Sequence, residues 1–195
     1  MAGTPQPVTL TGRIVRLEPL TRAHLDALGA IAFEPSIFRW FTIVMATPAD
    51  LARWVDDALA AQAAGSALPF ATVLLDGNRV VGSTRFMNIA TRDGRYEIGS
   101  TWLTPSAQRT SVNTEAKYLM LRHAFEALGA RRVELKTHAK NDKSRAAIER
   151  IGAQFEGIHR NHMLMPDGSM RDTAWYSIID IEWPAVKARL EGWLR

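Results

Sequence analysis

Cysteine is absent from this chain of 195 residues. That absence removes disulfides, thiolate metal sites and a cysteine nucleophile together, and it suits a reducing cytoplasm. No apolar run approaches the roughly 20 residues that a membrane-spanning helix needs. The opening segment, MAGTPQPVTL, lacks the basic start and apolar core of a secretory signal. A soluble, cytoplasmic protein with no membrane partner is therefore expected. Repeats, low-complexity stretches and long linkers are missing as well, which predicts one domain over residues 1–195. Charge of one sign is in short supply: the net value is +4 and the basic residues are scattered. Scattered charge reads as a solvated surface rather than a nucleic-acid patch, although a mildly positive balance also favours a polyanionic ligand such as a nucleotide phosphate. No strand-like run leads into G-x-G-x-x-G or G-x-x-x-x-G-K-[ST], so Rossmann and P-loop readings fail. His159, His162 and Asp167 show no metal-ligand spacing, and no metal is expected.

What is present is ordinary globular material, 47% hydrophobic and 23% charged, in a chain long enough to bury a core without staples. Residues 8–17 alternate polar and apolar and predict a first strand. Thr21 reads as the N-cap of a helix to about Ala30, and Pro48 opens a second to about Ala64. Between them, residues 33–45 read as irregular and aromatic-rich. Residues 69–75 and 79–88 read as strands joined by the hairpin signal Asp76-Gly77-Asn78, and a third strand spans 95–103. Residues 112–128 then follow a helical period, with Ala116, Leu119, Met120, His123 and Leu128 on one stripe. A strand over 132–137 has Val133 and Leu135 inward, a helix spans 141–151 with Gly152 as its stop, and strands over 154–164 and 170–181 follow. Trp183–Leu194 closes the chain as an amphipathic helix with Pro184 in its first turn. Its stripe of Trp183, Val186, Leu190 and Trp193 suits either internal packing or a homodimer. The order is that of an α+β fold with a helical crossover between neighbouring strands in the middle.

Two segments could carry chemistry. Trp102-Leu103-Thr104 ends a strand, and Gln108-Arg109-Thr110-Ser111-Val112-Asn113-Thr114 leads into a helix, with Ser111 or Asn113 as its cap. The free N–H groups of that helix N-terminus would favour an anion. In the second segment Asn141 reads as an N-cap, which puts Ser144 at the third helical position on the same end. Taken singly, each reads equally as ordinary structure. Paired at this distance, in this strand and helix order, they become specific.

The paired segments resemble the GNAT superfamily of acyl-CoA-dependent N-acyltransferases, and within it the ribosomal-protein N-terminal acetyltransferase-like (RimJ/RimL-type) group. The group's [QR]-x-x-G-x-[GA] loop falls on Gln108–Asn113, and its T-E-A on Thr114-Glu115-Ala116. Its N-x-x-S-x-x-x-x-E-x-x-G-[FA] pattern falls on Asn141, Ser144, Glu149, Gly152 and Ala153. Its E-I-G-x-x-[LW] strand falls on Glu97-Ile98-Gly99 through Trp102-Leu103. The resemblance covers roughly Leu10 to Ile181 and implies a GNAT fold, with a mixed, mostly antiparallel sheet of about seven strands flanked by helices.

It also implies acetyl-CoA as co-substrate and a primary amine as acceptor, either a protein N-terminus or a small amine, with direct attack in a ternary complex. By the same resemblance the Arg109–Thr114 backbone, Val112 included, cradles the pyrophosphate and Gln108 borders it. Asn141 bonds the pantetheine arm, Ser144 lies near the sulfur, and the Trp102–Thr104 strand end offers N–H groups to the thioester carbonyl. Residues 33–45, with Trp40 and Phe41, would line the acceptor groove. The loop departs from the pattern at two positions, where Ser111 and Asn113 replace glycine or alanine. That departure supports a second reading, a GNAT-fold protein that binds a CoA ester or nucleotide without transferring the acyl group.

Aminolysis of a thioester needs a neutral amine, an oxyanion partner and a protonated leaving sulfur. Ser144 is the candidate donor to the thiolate. Glu97 ranks first as base, because burial beside Tyr96, Ile98 and Gly99 would raise a carboxylate toward a useful pKa; the opposing reading is a surface glutamate on an alternating strand. His138, His162 and a bound water are the other candidates.

Overall fold

The computed structural model describes residues 2–195. Eight strands form one sheet: β1 (Leu10–Thr11), β2 (Val15–Pro19), β3 (Leu68–Leu74), β4 (Arg79–Ala90), β5 (Arg95–Leu103), β6 (Arg132–His138), β7 (Gln154–Leu164) and β8 (Met170–Ile179). Their spatial order is β1-β2-β3-β4-β5-β6-β8-β7, and among the described residues only β5 and β6 run parallel. Helices α1 (Leu25–Ala32), α2 (Pro35–Phe38) and α3 (Pro48–Ala63) precede the β3–β5 meander. Helix α4 (Ser111–Arg122) crosses from β5 to β6, α5 (Asp142–Arg150) leads into β7, and α6 (Trp183–Trp193) closes the chain.

The sheet separates two apolar cores. On one face Phe86, Ile98, Leu119, Met120, Val133, Tyr176 and Leu190 pack beneath α4 and α6. On the other, Leu28, Leu51, Trp54, Val55, Ala71 and Trp102 pack beneath α1–α3. Each fully buried aliphatic side chain stabilises the fold by about 1.5–3 kcal/mol relative to exposure, so both faces hold the sheet rigid around the site.

Three expectations need correction. The sheet has eight strands, not about seven, because the strand expected over residues 8–17 breaks into the β1–β2 hairpin. Glu115 causes the break. Its buried carboxylate accepts N–H bonds from Arg13 (2.8 Å), Ile14 (2.7 Å) and Val15 (2.7 Å), and a Cβ on Gly12 would overlap it. Second, the helix expected over 112–128 is α-helical only to Arg122; His123–Ala127 widens into a π-turn. Third, the segment over 33–45 is not wholly irregular. Pro35 at the first turn and Glu34, which accepts from Ser36 N–H, start the short α2. Of the closing stripe, Trp183, Val186 and Leu190 pack in the chain's own core, while Trp193 is 45% exposed beside the guanidinium groups of Arg150 and Arg189.

Candidate active site

The parallel pairing of β5 with β6 stops early. Arg95, Tyr96 and Glu97 pair with Arg132, Val133 and Glu134, yet β5 continues to Leu103 and β6 to His138. Beyond Glu97 the two strands splay, and the backbone groups that would have bonded across the ladder are left facing a cleft. Opposite the splay, β5 carries a bulge. Arg85 faces Gly99 and Ser83 faces Trp102, so Thr84 opposes both Ser100 and Thr101, and Ser100 takes φ 47°. The cleft opens into a cavity of about 920 Å³, within the range of pockets that hold cofactor-sized ligands.

One end of the cavity is the N-terminus of α4. Gln108, Arg109, Thr110, Ser111, Asn113 and Thr114 line it, with Arg109 in the left-handed region at φ 59°. The cap is Thr110, not Ser111 or Asn113: its Oγ1 accepts from Val112 N–H at 3.2 Å while donating to the Ala107 carbonyl at 2.7 Å. Val112 itself is buried in the core. Capping by Thr110 leaves the Ser111 side chain exposed at the first helical position. Two cations that sequence reasoning passed over also line this end. Lys143 Nζ donates to Gln108 Oε1, and Arg150 Nη2 donates to Thr114 Oγ1 at 2.7 Å. Both stand one helix away in sequence, where only the fold brings them beside the loop. A helix N-terminus flanked by Arg109, Lys143 and Arg150 is suited to a phosphate group.

The α5 N-terminus meets the same cavity. Asn141 caps it, with Oδ1 accepting from Ser144 N–H at 3.2 Å, so its Nδ2 is the atom left to donate outward. Ser144 lines the cavity from the third helical position. Trp102 and Leu103 line it too, with both side chains largely buried, Trp102 against Phe38 and Trp54. Thr104 cannot serve as an N–H donor: its N–H is already bonded to the Val81 carbonyl at 2.8 Å. Strand alternation then turns Leu103 toward the cleft, where Gln108 Nε2 donates to its carbonyl at 2.9 Å. The available donors are the cleft-facing N–H groups of the unpaired β5 edge.

Glu97 stands at the other end of the cleft, six residues up the strand from Leu103, which is about 20 Å. It is 1% exposed, so the surface reading is excluded. Its surroundings are not the apolar ones expected, however. Oε2 accepts from Asn88 Nδ2 at 2.7 Å and forms an ion pair with Lys136 Nζ at 3.1 Å. Oε1 is buried without a partner among the described residues. It points to the space beside Gly99, where a Cβ would lie 3.1 Å away. Trp40, Phe41, Met87, Met163 and Arg171 line this end.

The histidines are placed differently. His138 packs against Trp40 with ring centroids 4.8 Å apart, and its Nδ1 accepts from Lys140 N–H at 3.0 Å. Burial, followed by the charges of Arg171 and Lys140, holds its pKa below the usual histidine value. His162 pairs with Thr173 Oγ1 at 3.1 Å and packs edge-on against His159 and Trp175; burial and then Lys136 lower its pKa too. Both are neutral near pH 7. No cluster of metal-ligating side chains occurs among the described residues, and no helix there is long and apolar enough to cross a membrane.

A family model described as an acetyltransferase (GNAT) domain matches residues 15–154. The crystal structure of a GCN5-related N-acetyltransferase from Brucella melitensis is 38% identical, with TM-score 0.92, and the match covers 100% of this chain and 88% of that one. Mycobacterium smegmatis RimJ, solved in complex with CoA-disulfide, shares the fold at 23% identity and TM-score 0.83, covering 95% of this chain and 94% of that one. The "Putative ribosomal N-acetyltransferase YdaF" of Bacillus subtilis is 32% identical over 60% of this chain and 62% of its own length. The chain thus spans less than two thirds of the length of the curated relatives it matches.

Proposed function

The chain belongs to the acetyltransferase (GNAT) domain family, and from that premise we propose that it transfers an acetyl group from acetyl-CoA to a primary amine, either a peptide N-terminus or a small amine. One observation carries the reading: the β5–β6 splay joins an anion-binding helix N-terminus to a buried carboxylate with a free oxygen. The pyrophosphate would sit on the N–H groups at the start of α4, with Arg109, Lys143 and Arg150 around it. The pantetheine arm would run along the unpaired edge of β5, past Asn141 Nδ2, and bring the thioester toward the Ser100 bulge.

In the transfer step the amine nitrogen attacks the thioester carbon and forms the C–N bond. The carbonyl oxygen takes up negative charge, which a cleft-facing N–H of β5 stabilises; one such donor is worth about 3–4 kcal/mol in the transition state. Glu97 Oε1 receives the amine proton. As the C–S bond breaks, the Ser144 hydroxyl donates a hydrogen bond to the departing thiolate. The likeness to a ribosomal N-acetyltransferase supports a peptide N-terminus among the acceptors.

Two measurements test the reading. Titration calorimetry should detect acetyl-CoA binding, and release of free CoA should depend on added amine. Glu97→Gln should retain acetyl-CoA binding and lower kcat/KM by about a hundredfold or more. Absence of acetyl-CoA binding at high micromolar concentration would remove the proposal. Binding without amine-dependent CoA release would favour instead a CoA-ester-binding protein without transferase activity.

A further inference from the structure

The acceptor end of the cavity carries a positive charge for which the transfer step has no use. Arg171 on β8 is only 8% exposed, and burial lowers its pKa. Its Nε donates to Thr173 Oγ1 at 3.1 Å and its Nη1 to the Trp40 carbonyl at 3.2 Å. Both acceptors are neutral. Its Nη2 makes no hydrogen bond among the described residues, and it is not sealed from solvent as the orphaned Arg85 Nη2 is. The open face of the guanidinium therefore lies toward the cavity that Arg171 lines.

No carboxylate bonds directly to Arg171 among the described residues, although the nearby charge of Glu97 favours its ionised form. Lys136 and Glu97 form a pair of their own. His138 and His162 are held neutral near pH 7. Asp172, the neighbouring acid, has Oδ1 bonded to Asn161 N–H at 2.8 Å. Arg171 thus has no direct ion-pair partner among the described residues, in a buried place where an unpaired charge is unfavourable. A planar fork with a free N–H suits a carboxylate.

We infer that Arg171 anchors a carboxylate carried by the acceptor itself, so that the preferred substrates are amines bearing an acidic group: free amino acids, or peptides whose first residue is acidic. The inference rests on the transferase reading for its place in the reaction. Purely cationic acceptors such as polyamines would bring charge of the wrong sign to Arg171.

Matched acceptor pairs test it. Each pair differs only in acid against amide: an amino acid and its amide, and a peptide beginning with Glu and the same peptide beginning with Gln. With acetyl-CoA present, the wild-type protein should favour the acid by about ten- to a hundredfold in kcat/KM, the range for one hydrogen bond to a charged group. Whichever pair shows the effect identifies the source of the carboxylate. Arg171→Gln should lower kcat/KM for the acid far more than for the amide and bring the ratio close to one. Equal turnover of acid and amide by the wild-type protein overturns the inference. So does an equal loss for both in the variant, the result expected if Arg171 merely ties the Trp40 segment to β8. Binding of the same pairs to the CoA-loaded protein, read by calorimetry, separates the two readings. Acid-selective binding without turnover sustains the anchor and overturns the transferase, whereas turnover without selectivity does the reverse. Neither turnover nor binding of any pair overturns both.

Discussion

Replacing Lys117 with methionine should make the protein more stable, and by an amount that depends on pH. Lys117 projects from α4 beneath the β5 bulge and is 5% exposed. Its Nζ donates to Thr101 Oγ1 at 2.6 Å and to Thr84 Oγ1 at 3.3 Å, and no carboxylate pairs with it among the described residues. Burial pushes its pKa from 10.5 to about 7. In the unfolded chain the amine titrates near its ordinary value, so between about pH 7 and 10.5 the unfolded state binds more protons and stability rises with pH. The penalty is absent above 10.5, grows as pH falls, and levels off below 7. From those two pKa values it amounts to about 4 kcal/mol at pH 7 and about 2 kcal/mol at pH 9.

Methionine is close in shape to the lysine stem and fills the same space without a charge. Thr84 and Thr101 stay satisfied because their hydroxyls already bond each other at 2.8 Å. Allowing about 1–2 kcal/mol for the lost lysine hydrogen bonds, Lys117→Met should gain about 2–3 kcal/mol at pH 7. Urea unfolding of both proteins at pH 7 and pH 9 measures this, and titration of other groups cancels in the difference. The advantage should shrink by about 2 kcal/mol between the two pH values. A variant less stable than wild type at pH 7, or an advantage unchanged at pH 9, would refute the buried neutral amine.

Other substitutions probe the frame and the cleft. Glu115→Ala removes the acceptor of three N–H groups in the β1–β2 turn; it should destabilise by about 3 kcal/mol or more in urea unfolding, and a loss under 1 kcal/mol would mean that water replaces the carboxylate. Gly99→Ala puts a methyl group 2.8 Å from Met87 Sδ and 3.1 Å from Glu97 Oε1. It should lower kcat about tenfold or more while the urea midpoint moves little, and unaltered turnover would disconnect that oxygen from the reaction. Asn141→Ala deletes the α5 cap, costing about 1 kcal/mol of stability, and should weaken acetyl-CoA binding in calorimetry. If affinity is unchanged, Asn141 does not hold the pantetheine arm.

Sequence periodicity located most of the elements because the two-residue and 3.6-residue patterns survive wherever one face is buried. It did so for β6, where Val133 and Leu135 are buried in the core, and for the stripe of Ala116, Leu119 and Met120 on α4. It failed where a tertiary partner decided the outcome. Nothing within residues 8–17 shows that Glu115, about a hundred positions later, will gather three of their N–H groups and split the strand. Likewise the change to a π-turn at His123 has no mark in a stripe that continues to Leu128. The cap fell on Thr110 because a β-region residue is needed just before the helix, and Thr110, at φ −116° and ψ −178°, supplies it.

The same division applies to the site. Asn141 and Ser144 leave a local trace, a cap and a small residue at fixed spacing, but they and Gln108 gained a role only through the family pattern that the paired segments resemble. Lys117, Lys136, Arg150 and Arg171 left none, since a lone basic residue reads as solvated surface until its burial is known. Their meaning comes from which partner each one has. Lys136 has Glu97, Arg150 has Thr114, Lys117 has two hydroxyls, and Arg171 has only neutral acceptors around an open fork. Four similar cations thus differ by position alone. Arg171, whose hydrogen-bond acceptors are both neutral, lies at the end of the cavity where the proposed acceptor would enter.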